Sequence, residues 1–211
     1  MPLQQKIAIP APEASASFDY ADIQEGTGIT VYNLAASELS GNSLSGFLTR
    51  NDLYSTQMEV SGNSANGQMS DTDFDVKFAR PQNLKGTAYA NIPHKIVPGG
   101  SAVTGYLIVR LRKWDGTTET EIVQASSKVL SASGGGAAQM IVQNVPLVIP
   151  LTHFKKDESL RCTVEAWGTA ASGTYGYGID PRARTESWMR LTGQDAFTSQ
   201  STLSVPFVLK T

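Results

Sequence analysis

Apolar and polar residues alternate along most of this chain with a period near two, and no long window carries the spacing of an amphipathic helix. The cleanest case is Leu160-Arg161-Cys162-Thr163-Val164-Glu165-Ala166-Trp167, which puts Leu160, Cys162, Val164 and Ala166 on one side of a strand. Asp73 to Phe78 repeats the pattern, with Phe74, Val76 and Phe78 facing away from Asp73, Asp75 and Lys77. The longest unit is Thr104–Leu130. There Leu107, Val109 and Leu111 share a face, Arg110 and Arg112 the other, and Asp115-Gly116 sits where a tight hairpin turn needs positive φ.

The same reading predicts strands at Phe18–Ile23, Ile29–Tyr32, Asp52–Val60, Leu84–Ala90, Glu186–Leu191 and Thr202–Leu209. Met140–Ile149 is nearly all apolar, but Pro146 lies within it and Pro150 follows. Neither proline can donate a ladder hydrogen bond, so this strand belongs at an edge or carries a bulge. Residues 35–46, 61–70, Asn91–His94 and Pro98–Gly100 read as loops, with room for a short helix near Ala35–Leu39. Gly134-Gly135-Gly136 reads as a mobile tip. About ten short strands punctuated by turns make an all-β protein, expected as an antiparallel two-sheet sandwich of jelly-roll type. Residues 1–17, with Pro2, Pro10 and Pro12, form an expected extended arm; 18–211 form one expected sandwich domain.

Composition changes this picture little. A chain of 211 residues suits one large β domain. A net charge of −2 argues against general affinity for nucleic acid or anionic membrane. Met1–Lys6 is too polar to read as an export signal, and no apolar run has membrane-spanning length. Cys162 is the single cysteine, so no intrachain disulfide forms and synthesis in a reducing cytoplasm is expected.

Candidate chemistry is sparse. His94, His153 and Cys162 are too scattered for a zinc site, and Cys162 sits at an inward strand position as a small core residue. No G-x-S-x-G turn is present, and Gly26-Thr27-Gly28 lacks the rest of a dinucleotide loop. Asp71, Asp73 and Asp75 project alternate carboxylates that could share a calcium ion, weighed against a solvated strand face. Glu119, Glu121, Glu158 and Glu165 supply acids for glycoside hydrolysis, but spacing alone does not pair them across a cleft. Trp167, Tyr175, Tyr177 and Trp188 cluster toward the C-terminus, where they could anchor the core or form a sugar platform. Arg182 and Arg184 suit carboxylate pairing at a loop or interface. No cofactor is expected.

Three stretches resemble the β-rich structural proteins of tailed bacteriophage particles. They are Phe18–Ile23 with Gly26-Thr27-Gly28, Thr152-His153-Phe154-Lys155-Lys156-Asp157-Glu158-Ser159-Leu160-Arg161, and Gly178-Ile179-Asp180-Pro181-Arg182. In such proteins the corner usually looks like Phe-Lys-x-Gly-Glu; here Asp157 stands in place of the glycine. The resemblance implies a structural, non-enzymatic virion subunit made in the host cytoplasm. The first expectation is a capsid cement or decoration protein, a homo-oligomer (a trimer) bound to the major capsid protein. The alternative is a tail, baseplate or receptor-binding component with a carbohydrate-binding sandwich. Pro10, Pro12, Trp167, Tyr175, Tyr177, Arg182 and Arg184 are the candidate contact residues.

Overall fold

A computed structural model describes residues 27–39, 43–51, 59–179 and 200–208, and every regular element among them is a strand. In chain order these are β1 (Thr27–Leu39), β2 (Ser43–Thr49), β3 (Glu59–Gly62), β4 (Gly67–Lys77), β5 (Gln82–Pro98) and β6 (Val103–Trp114). They continue with β7 (Glu119–Ser126), β8 (Leu130–Ala132), β9 (Gln139–Phe154), β10 (Ser159–Thr169), β11 (Gly173–Gly178) and β12 (Thr202–Val208). Hydrogen bonds link them in the order β3-β11-β5-β12-β1-β2-β4-β10-β6-β7, with β8 beside β6 and β9 beside β5. The all-β class therefore holds. The sheet is mixed rather than purely antiparallel, because β2 meets β4 in parallel over Gly46↔Phe74 and Phe47↔Asp75.

The period-two segments fold as their patterns require. In β10, Leu160, Cys162, Val164 and Ala166 have no exposed surface. Val164 stands opposite Val109 of β6 and Thr72 of β4, and Cys162 opposite Leu111 and Phe74, so apolar positions align across three strands. Each fully buried side chain of this size is worth about 1.5–3 kcal/mol of transfer free energy. Phe78 closes one end of the core by meeting Phe154 and Phe207 edge-on, with ring centroids 5.0 and 6.0 Å away.

Several expected loops are strand instead. β1 runs through Ala35–Leu39, which rules out the short helix there: Ala35 pairs with Phe47 and Glu38 with Leu44. β5 runs straight through Asn91–His94, because Pro93 falls where its neighbour changes. β12 pairs with β5 as far as Asn91, and β11 takes over at His94. The missing N–H of Pro93 therefore interrupts no ladder on that side. The Asp115-Gly116 turn also differs from expectation. Only Gly116 takes a positive φ (97°), while the Asp115 carboxylate accepts the Thr117 and Thr118 N–H groups at 2.8 and 2.7 Å. A side-chain-closed turn replaces the two-residue hairpin loop. The expected strands at Phe18–Ile23 and Glu186–Leu191, the arm at 1–17, and residues 52–58 lie outside the described residues.

The strand path folds back so that β11 and β5 lie across β6, β10 and β4. Tyr177 of β11 donates to the Val164 carbonyl (3.1 Å) and shares a hydrogen bond with Thr72 Oγ1 (2.8 Å). Tyr175 lies flat over Gly105 of β6, where a Cβ would stand 2.4 Å from the ring. Replacing Gly105 with Ala must push the layers apart and is expected to cost about 2–3 kcal/mol. Urea unfolding checks this; a midpoint within error of the parent protein would remove the role given to this contact.

Candidate functional site

The two outward faces of the fold differ in chemistry. On β4, β10, β6 and β7 the polar positions of each strand meet as an ionic ladder. Arg161 grips Asp75 with two bonds (Nε to Oδ1 2.8 Å, Nη2 to Oδ2 2.7 Å) and also reaches Asp73 and Glu119. Its guanidinium lies 5.0 Å over the Trp114 ring. Arg112 bonds Glu119 at 3.1 Å. Arg110 bonds the buried Glu165 at 2.5 Å, Glu121 at 2.9 Å and Gln124. The second oxygen of Glu165 accepts the Trp167 indole N–H at 2.7 Å. Hydrogen bonding to Glu165 raises the pKa of Arg110, and hydrogen bonding to Asp75 raises that of Arg161.

This ladder uses up the groups that the sequence offers as a cation site. Asp75 is taken by Arg161, Asp73 accepts Thr163 Oγ1 at 2.6 Å, and Asp71 accepts Gln68 Nε2 at 3.2 Å. Among the described residues no group of three or more His, Cys, Asp or Glu side chains is arranged to hold a metal ion. Of the two readings of Asp71, Asp73 and Asp75, the strand face accounts for the contacts seen, with Asp73 and Asp75 paired to Arg161 and Asp71 to Gln68. The aromatic candidates divide likewise. Tyr175 and Tyr177 are fully buried and cannot present a sugar platform, and Trp167 is half-buried with its N–H committed to Glu165. Burial raises the pKa of both tyrosines, which keeps their phenols protonated. Cys162 is core, its thiol pushed up to about 12 by burial. Pro10, Pro12, Arg182, Arg184 and Trp188 lie outside the described residues.

The opposite outward face, on β9, β5, β12 and β1, carries uncharged rows read across the registers. One row runs Pro146–Tyr89–Ser204–Val31, and the next places Val148 beside Thr87 and Ile29 beside Pro206. Ile29 and Val31 are half exposed, Val148 is 69% exposed, and Leu151 further along β9 is 67% exposed. A polar row, Asn144–Asn91–Thr202–Asn33, borders the apolar ones. Asn144 donates to Asn91 at 2.7 Å, and Asn91 to Thr202 Oγ1 at 3.5 Å. Contiguous exposed apolar side chains with a polar rim are the usual form of a contact surface. The alternation of Ile29 and Val31 is visible in the sequence. Their outward direction is not, because β-branched residues look the same on either face.

One solved structure shares the strand arrangement. The fold recurs in a hydrolase. A crystal structure of a CocE/NonD family hydrolase from Staphylococcus aureus matches at TM-score 0.50 and 12% identity, over 84% of this chain and 36% of that one. An aminopeptidase from the marine sediment archaeon Thaumarchaeota archaeon matches at TM-score 0.45 and 8% identity, over 85% and 37%. The chain thus spans little more than a third of the length of these neighbours. No protein-family model and no curated protein matches. The sequence-based expectation of a non-enzyme is corrected by the first of these likenesses. A fold carried within a hydrolase gives no ground for placing the chain outside the enzymes.

One buried polar contact couples the core to pH. His94 Nδ1 lies 2.7 Å from the Tyr175 hydroxyl, with no surface exposed, and burial lowers its pKa from 6.5 to about 4. The unfolded chain therefore binds this proton first, so stability is full above pH 6.5 and falls as pH drops toward 4, by roughly 3 kcal/mol in total. Between pH 7 and 5, above most carboxylate titration, His94→Gln should flatten the fall in unfolding free energy. Equal slopes in parent and variant would show that another group carries it.

Proposed function

We propose that this protein works by contact, as a structural subunit of a tailed-phage particle that binds its neighbours through the outer face of β9, β5, β12 and β1. The observation that carries the reading is the contrast between the two outward faces. The ionic ladder satisfies its own charges, whereas the rows through Pro146, Tyr89, Val31 and Val148 leave apolar surface in water. Covering such surface recovers about 25 cal/mol per Å². The named rows bear no charged side chain, and the exposed Lys85 of β5 stands further along the same strand. The sequence resemblance to virion proteins supports a place on the shell, as a homo-oligomeric cement protein on the major capsid protein. On a repeating lattice, weak contacts of this kind reinforce one another.

A second reading is favoured by the likeness to the CocE/NonD hydrolase. In it the β unit belongs to a hydrolase assembly, and the same face seats it against a catalytic body. The two readings part on what the face binds, so one pair of variants serves both.

Val31→Asp and Val148→Asp place a charge in the middle of the face without touching the core. Each is expected to weaken sedimentation with phage shells at least about tenfold, as loss of a central apolar anchor does, with an unchanged melting temperature. Shells that bind parent and variants equally would exclude this face. Shells that bind neither, together with ester or peptide hydrolysis by the full-length protein, would select the second reading.

A further inference from the structure

Asn66-Gly67 is the only Asn-Gly pair in the chain, and Gly67 opens β4 after the short connection from β3. This connection joins the two layers, because β3 pairs with β11 whereas β4 pairs with β10. Asn66 is exposed, and among the described residues its side chain has no hydrogen-bond or ion-pair partner. Gly67 follows with a φ of 130°, and a Cβ placed on it would meet nothing within 4 Å. The following residue therefore puts no side chain between the Asn66 amide and the next backbone nitrogen.

The other asparagines are placed differently. Asn33 donates to the Asn51 carbonyl at 3.3 Å, Asn144 donates to Asn91 at 2.7 Å, and Asn83 lies 2.7 Å from His153 Nδ1. Asn33, Asn83, Asn91 and Asn144 are each followed by a branched residue, namely Leu34, Leu84, Ile92 and Val145. Asn51 and Asn63 precede Asp52 and Ser64. Asp115-Gly116 is the nearest analogue, with Gly116 equally open, but its carboxylate is held by the Thr117 and Thr118 N–H groups. Among the described residues, Asn66 alone joins an unpartnered side-chain amide to a glycine.

We propose that Asn66 is a site of spontaneous modification, converting through a cyclic imide to aspartyl and isoaspartyl forms in the folded protein. Base takes the Gly67 amide proton, and that nitrogen attacks Asn66 Cγ. The N–Cγ bond forms as Cγ–Nδ2 breaks, and the Nδ2 amino group takes up a proton and leaves as ammonia. Water then opens the imide. Attack at Cγ leaves an ordinary aspartyl residue, whereas attack at the backbone carbonyl routes the chain through the side chain. No electron donor or acceptor is needed. Either product adds a negative charge, and the isoaspartyl form also adds a methylene to the backbone. The added length falls beside an irregularity already present, where the β4–β10 register shifts between Ala166 and Trp167. Phe74 and Val76, the buried residues of β4, pair with Cys162 and Leu160 well beyond that point. The change therefore slackens a corner between the layers and leaves the core intact. The inference stands apart from the contact reading, because this corner is not part of that face.

The test uses the full-length protein, held warm at mildly alkaline pH and then digested with trypsin. The peptide spanning 51–77 should gain the mass difference between an amide and an acid, and fragmentation should place it at residue 66. An isoaspartyl methyltransferase should label the same peptide. Conversion at Asn66 should run at least about tenfold faster than at any other asparagine, a barrier difference of about 1.4 kcal/mol. Gly67→Ala should slow it by a similar factor, and Asn66→Gln should lose the label while keeping the urea midpoint of the parent. An Asn66 that converts in urea but stays intact in the folded protein would overturn the inference. So would conversion no faster than at the other asparagines, or conversion that ignores Gly67→Ala.

Discussion

Two phenol hydroxyls carried into a dry interior fix how the layers of this protein meet. Each brings a large apolar ring and one group that costs about 1–3 kcal/mol if left without a partner. Tyr177 meets that demand only by reaching Thr72 of β4 and the Val164 carbonyl of β10, and Tyr175 only at His94 of β5. A slip of one residue in β11 would turn both rings outward and orphan both contacts. The bare Cα of Gly105 is the complementary constraint, since it lets the Tyr175 ring lie against the β6 backbone. Registry between the layers thus rests on a few polar contacts inside an otherwise apolar core.

Much of the fold is legible in the sequence where one face of a strand is buried and the other is wet. β4, β6 and β10 fall where alternation places them, and Phe74, Val76, Leu107, Val109, Leu160 and Val164 are buried as their parity requires. Pro146 and Pro150 mark β9 as an edge or a bulged strand; among the described residues it pairs with β5 alone, with a register irregularity opposite Leu84 and Gly86. Legibility fails where both faces are covered. Ile92–Ile96 is buried at every position, so no alternation announces a strand, and Pro93 argues against one. The corner at Asp157 shows the opposite case. Its φ of 70° lies in the left-handed region that glycine favours, and Asp is among the few other residues that adopt it, through local hydrogen bonding.

The candidate site was less legible because side-chain direction decides it. Trp167, Tyr175 and Tyr177 form one aromatic-rich stretch in sequence, yet two of them point into the core and the third is held at the rim by Glu165. Asp71, Asp73 and Asp75 read alike from spacing alone. Only the neighbouring strand, which brings Arg161 to Asp73 and Asp75, makes those two ion-pair partners and leaves Asp71 to Gln68. The apolar rows on β9, β5, β12 and β1 depend on four strands distant in sequence. No single stretch shows them.

The ionic ladder has a thermal consequence. The desolvation penalty of charged groups falls on heating, because their hydration carries a strongly negative entropy, while the return from apolar burial levels off. A network in which Arg110, Arg112 and Arg161 interlock with Glu119, Glu121, Glu165, Asp73 and Asp75 therefore contributes more, relative to the core, in a hot solution than in a cold one.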